Sequence, residues 1–182
     1  MLSKQTKFIL AIAAQAVVIL AIVVFKLAVL ASGQQVLLHI APIDPRDPFR
    51  GDYITFRYDI STIDSSLLTG EEIANGDTIY VLLQQQGKYW VASGVQKIFP
   101  YGAQKAGQIY IKGKVISGGR NPYALTTFGS LTVAYGIEQY FIPENTGRNV
   151  NFRQKDVGAA VVIDDQGNPV LKQVYVDGQP WP

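Results

Sequence analysis

The sequence predicts a mainly β protein, an antiparallel β-sandwich or partly open barrel preceded by one N-terminal transmembrane helix. Three observations lead there. A long uncharged apolar run lies near the N-terminus. Short runs rich in Val, Ile, Tyr, Phe and Thr fill the remainder, bounded by Gly, Pro, Asn and Ser. Helical periodicity is nearly absent after Gly33.

The apolar run comes first. "FILAIAAQAVVILAIVVF", Phe8 to Phe25, is eighteen residues without a charge, followed by Lys26 and "LAVLA". A helix rises about 1.5 Å per residue and a bilayer core is about 30 Å thick, so such a run can span it. Gln15 is the one strongly polar residue inside. Val29 and Ala31 ahead of Ser32 would suit signal cleavage, but the run exceeds the apolar core of about 7–15 residues of a cleaved signal. The expectation is an uncleaved anchor over residues 8–31, with the lipid bilayer as its partner. Lys4 and Lys7 precede it and no acid does. The positive-inside rule then makes residues 1–7 a cytoplasmic N-terminus and residues 32–182 an extracytoplasmic β-rich domain.

Charge follows the same division. Sixteen Lys and Arg stand against fourteen acids. Without Lys4, Lys7 and Lys26, thirteen stand against fourteen, so the exported part is near −1. No nucleic-acid partner is expected, since that would want a basic patch on the folded domain. The absence of cysteine excludes disulfides, thiol catalysis and cysteine-bound zinc. One histidine, His39, cannot build a zinc site of the usual kind. No metal and no cofactor are expected.

Strand-like runs then follow in order. "QVLLHIAPI" and "DYITFRYDI" come first. "DTIYVLLQQQ" and "KYWVASGVQKI" predict a hairpin closed at Gly87. "GQIYIKGKVIS" and "SLTVAYGIEQYFI" are next, and "DVGAAVVIDDQGNPVLKQVYVDG" predicts a last hairpin turning at "DDQGNP". That makes roughly seven or eight strands, mostly antiparallel. A short helix is expected near Glu144, weakened by Gly147.

The stretch from Arg46 to Ile60, "RDPFRGDYITFRYDI", gathers charge and aromatics in a mostly neutral sequence. Alternation assigns Tyr53, Thr55, Arg57 and Asp59 to one face and Ile54, Phe56, Tyr58 and Ile60 to the other, a half-buried strand. Pro and Asp ahead of it predict turns. Asp52 is suited to accept backbone N–H bonds or pair with Arg50 or Arg46.

"GDYITFRY", Gly51 to Tyr58, resembles the signature of the GDYXXLXY proteins, a bacterial family. Gly51, Asp52, Tyr53 and Tyr58 match, and Phe56 stands in the Leu position and keeps it apolar. "YGIEQYFIPENTGR", from Tyr135 to Arg148, and the closing "VDG" are similar to the family's layout. The resemblance implies a membrane-anchored envelope protein found beside multi-span membrane proteins. It implies no particular activity.

The expected role is therefore non-catalytic: an extracytoplasmic accessory or binding module of the bacterial inner membrane, acting with a membrane-protein partner. The candidate binding residues are Arg50, Asp52, Tyr53 and Arg57, with Tyr135, Glu138 and Tyr140. Aromatics supply rigid contact area with a polar tip. The alternative is a signal-peptidase-like Ser/Lys peptidase, with Ser32 as nucleophile and Lys112, in "YIKGKVISGG", as its base. The setting expected around such a nucleophile is missing, because Ser32 is followed by Gly33 and Gln34.

Overall fold

The computed structural model describes residues 3–41, 53–68, 72–100, 107–118, 129–141, 152 and 154–181. Helix α1, Lys4–Ser32, runs 29 residues. It begins before the predicted span because Ser3 caps it: the Ser3 hydroxyl accepts from the Thr6 N–H at 3.2 Å. Its apolar side chains from Phe8 to Leu27 project away from the β-domain, most of them more than half exposed.

Gly33 alone separates α1 from strand β1, Gln34–Ala41. β1 alternates as predicted, with Val36, Leu38 and Ile40 buried. It is an interior strand of a five-stranded antiparallel sheet, β12-β11-β10-β1-β3. β10 (Val157–Ile163) is buried along its whole length, as its unbroken apolar sequence dictates. β11 (Pro169–Val176) returns antiparallel to it. The connecting turn is the predicted one. Asp164 accepts from the Gln166 and Asn168 N–H groups at 2.9 and 2.7 Å. Asp177 and Gly178 then turn the chain into β12 (Gln179–Trp181), a strand the sequence reading leaves unassigned.

A second five-stranded antiparallel sheet has the order β4-β8-β7-β5-β6. β5 (Thr78–Gln86) and β6 (Tyr89–Gln96) form the predicted hairpin about Gly87, whose φ of +64° suits glycine. β7 is Ile109–Ser117, β8 is Ser130–Ala134 and β4 is the short Thr62–Asp64. The sheets meet where β6 packs against β1, and again where the Lys112 N–H donates to the Gly167 carbonyl at 2.8 Å. One continuous core fills the space between, including Leu38, Ile63, Ile79, Val81, Ile111 and Ile163.

Two predicted single strands are divided. "DYITFRYDI" becomes β2 (Tyr53–Thr55), β3 (Arg57–Tyr58) and a 3-10 turn, Asp59–Ser61. "SLTVAYGIEQYFI" becomes β8 and β9 (Gln139–Phe141), broken at Gly136 with φ +76°. The described residues thus hold more strands than the seven or eight expected. The expected helix near Glu144 lies outside them.

Candidate functional site

The signature segment is the seam of the fold. β2 pairs antiparallel with β9 in a two-stranded ribbon, Tyr53 opposite Phe141 and Thr55 opposite Gln139. β3 continues onto the edge of the first sheet, with Tyr58 opposite Ile40. β4 then joins the edge of the second sheet, with Ile63 opposite Leu131. Twelve residues, Tyr53 to Asp64, thereby enter all three sheets. The fold brings residues 53–58 of "GDYITFRY" and residues 135–141 of "YGIEQYFI" side by side.

Two buried tyrosines lock this seam. The Tyr58 hydroxyl donates to the Ile137 carbonyl at 2.6 Å. The Tyr135 hydroxyl donates to the Ile60 carbonyl at 2.6 Å. Burial pushes both phenols well above the ordinary tyrosine range, and the nearby Glu138 carboxylate pushes the same way. Glu138 turns back across the Gly136 bend and accepts from the Tyr135 N–H. Its own carbonyl accepts from the Phe56 N–H at 2.6 Å. The Tyr135 ring lies over Gly113, where a Cβ would come within 2.9 Å of it.

These positions revise the candidate surface. Tyr135 is only 6% exposed and belongs to the core. Glu138 is not a strand residue, because the Gly136 bend ends β8 before it. Tyr140 is half-buried, with its ring 6.2 Å from Phe56 and 6.1 Å from Trp181. Phe152 closes that wall at 5.4 Å from Trp181. Thr55, Arg57 and Gln139 face water, so they form the accessible side of the seam. The backbone of Tyr53 is in β2; Arg50 and Asp52 lie outside the described residues. Of the alternative pair, Ser32 ends α1. Lys112 is exposed on β7, opposite Tyr80.

A second polar cluster ties the two sheets together. His39 Nδ1 lies 2.7 Å from an Asp59 carboxylate oxygen and acts as donor to it. The Tyr89 ring meets the His39 ring edge-on, with centroids 4.9 Å apart. The Tyr89 hydroxyl donates to Asp156 at 2.6 Å, and Lys88 donates to the other oxygen of the same carboxylate. Burial and the Asp156 bond raise the Tyr89 phenol to about 12. Lys88, then Tyr89, hold Asp156 below the usual carboxylate range. Period-two alternation turns both His39 and Asp59 outward, but no sequence signal says that β1 and β3 adjoin. Tyr89 reaches this cluster because Gly158 leaves room: a Cβ there would stand 2.9 Å from Tyr89 Cε1. Among the described residues, no group of three or more His, Cys, Asp or Glu side chains is arranged to hold a metal ion.

The sequence profile of the GDYXXLXY protein family matches residues 15–174. The chain belongs to the GDYXXLXY family. That match takes in the larger part of α1, the seam and the last hairpin as far as Val174. No curated protein and no solved structure matches the chain at a significant level. For this GDYXXLXY protein the signature gains a physical meaning at its last position, since Tyr58 is a fully buried brace. Phe56 fills the Leu position as a core residue, 3% exposed.

Proposed function

We propose that this GDYXXLXY protein is a single-pass, membrane-anchored accessory or binding module that works with a membrane-protein partner of the bacterial envelope. Its N-terminus lies in the cytoplasm and its β-domain in the periplasmic or extracytoplasmic space. The observation that carries this reading is the junction at Gly33. A helix long and apolar enough to cross a membrane, with none of its span buried, passes directly into an interior strand of the sheet. Apolar side chains left so exposed need lipid or protein around them. Holding a domain at the membrane raises its effective concentration toward neighbouring membrane proteins, so modest contacts suffice. The accessible side of the seam, at Thr55, Arg57 and Gln139, is the contact surface in this reading.

The test is a mild-detergent pull-down of the tagged full-length chain from its native membranes, read by mass spectrometry. A stoichiometric membrane protein, recovered with the wild type and lost with Arg57→Asp, is the expected result. Recovery of the chain alone overturns the accessory role. Release of the chain from membranes by alkaline carbonate overturns the anchor.

A further inference from the structure

Gln15 lies one residue from the middle of the Lys4–Ala28 span. Its side chain is exposed on α1 and makes no hydrogen bond within the chain among the described residues. A primary amide has two donors and an acceptor oxygen. In hydrocarbon, with no water to satisfy them, such a group favours a partner that can. The domain cannot be that partner, since none of the span is buried against it.

We propose that Gln15 is a hydrogen-bonding site at which α1 pairs with α1 of a second copy of this chain. The inference rests on the reading of α1 as a membrane span. A second copy is the occupant because an amide is its own complement, acting as donor and acceptor at once. Two copies inserted in one orientation carry their Gln15 residues to the same depth, as a two-fold axis along the membrane normal requires. The surrounding helix face permits the approach. Ala11, Gln15, Val18 and Ile22 recur at alternating steps of four and three, the spacing of a left-handed helix pair. Ala14 and Ala21 flank that face and leave little bulk between two backbones. Leu20 lies on the opposite side.

The chain contains no cysteine, so single cysteines report contacts cleanly. The full-length chain is reconstituted in phosphatidylcholine liposomes as Val18→Cys or Leu20→Cys, and insertion is checked by carbonate extraction. Oxidation is expected to give a disulfide-linked dimer from Val18→Cys and little from Leu20→Cys. Adding Gln15→Leu should cut the Val18→Cys dimer about tenfold, and Gln15→Asn should restore most of it. An inserted chain that stays monomeric overturns the pairing. So does one that cross-links equally at both positions, or without regard to Gln15. A chain stripped from the liposomes by carbonate instead overturns the span on which the inference rests.

Discussion

Tyr58 and Tyr135 brace each other's segments: each donates its phenol, at 2.6 Å, to the carbonyl two residues beyond the other tyrosine. Each bond joins the signature segment to the chain that follows β8. Replacing either with Phe removes the donor and leaves a buried carbonyl without it, at a cost of about 1–3 kcal/mol. Tyr58→Phe and Tyr135→Phe should each lower the thermal midpoint of the full-length protein. Because the two bonds close one loop of contacts, a double-mutant cycle should show non-additivity. Strict additivity would mean two independent bonds.

The same pair sets the alkaline limit of stability. Burial, with Glu138, raises both phenols in the fold, while unfolded tyrosines ionise near pH 10. A folded value above the unfolded one gives stability that is full below about pH 10 and declines as pH climbs beyond it. An ultraviolet phenolate titration of the ten tyrosines should show a fraction that ionises only on unfolding. Tyr58→Phe with Tyr135→Phe should shrink that fraction.

At the acid end, Asp77 is the informative carboxylate. Its bond to Lys97 and the Ala74 N–H at 2.9 Å hold its pKa below the usual range. Its contribution is therefore present above about pH 4 and lost as pH falls through the folded value. Asp77→Asn should flatten the midpoint-against-pH curve in that acid window and leave the alkaline limb unchanged. An unaltered acid limb would remove Asp77 from the account.

Gly158→Ala tests the joint between the sheets. Its Cβ would stand 2.9 Å from Tyr89 Cε1 and 3.2 Å from the hydroxyl, so the ring must move off Asp156. Overpacking of this kind costs about 1–3 kcal/mol. Differential scanning calorimetry should show the loss, and Tyr89→Ala should relieve part of it. A neutral Gly158→Ala would show that the ring has room to move.

Arg57→Ala separates folding from recognition. The side chain faces water, so stability should stay within about 0.5 kcal/mol. Capture of the proposed membrane partner should fall if the outward side of the seam is the contact. Undiminished capture moves the contact elsewhere on the domain.

Much of this was legible because burial enforces a period of two. Phe56, Tyr58 and Ile60 point inward while Thr55, Arg57 and Asp59 point out, as the alternation requires. The hairpin at Gly87 and the Asp164 turn carried their own local chemistry. The helix announced itself by length. Long-range pairing was not legible. Nothing local to "YGIEQYF" tells that Gly136 ends one strand or that its neighbours brace "GDYITFRY". Tyr135 reads as a candidate binding residue because a phenol's polar tip suits surface and core alike; only the Ile60 carbonyl, 75 positions away, decides for the core. The His39–Asp59 and Tyr89–Asp156 contacts likewise join positions 20 and 67 residues apart.

The single residue between α1 and β1 also limits reach. One extended residue spans at most about 3.5 Å. A compact domain of this size is about 40 Å across, taking the usual scaling of radius of gyration with length. With α1 in the bilayer, every part of the domain then stands no more than about one domain's width above the lipid. Nothing in that joint acts as slack to be let out. In the proposed membrane-anchored module, a partner must come to the membrane surface, and the short junction sets the height at which the seam is offered.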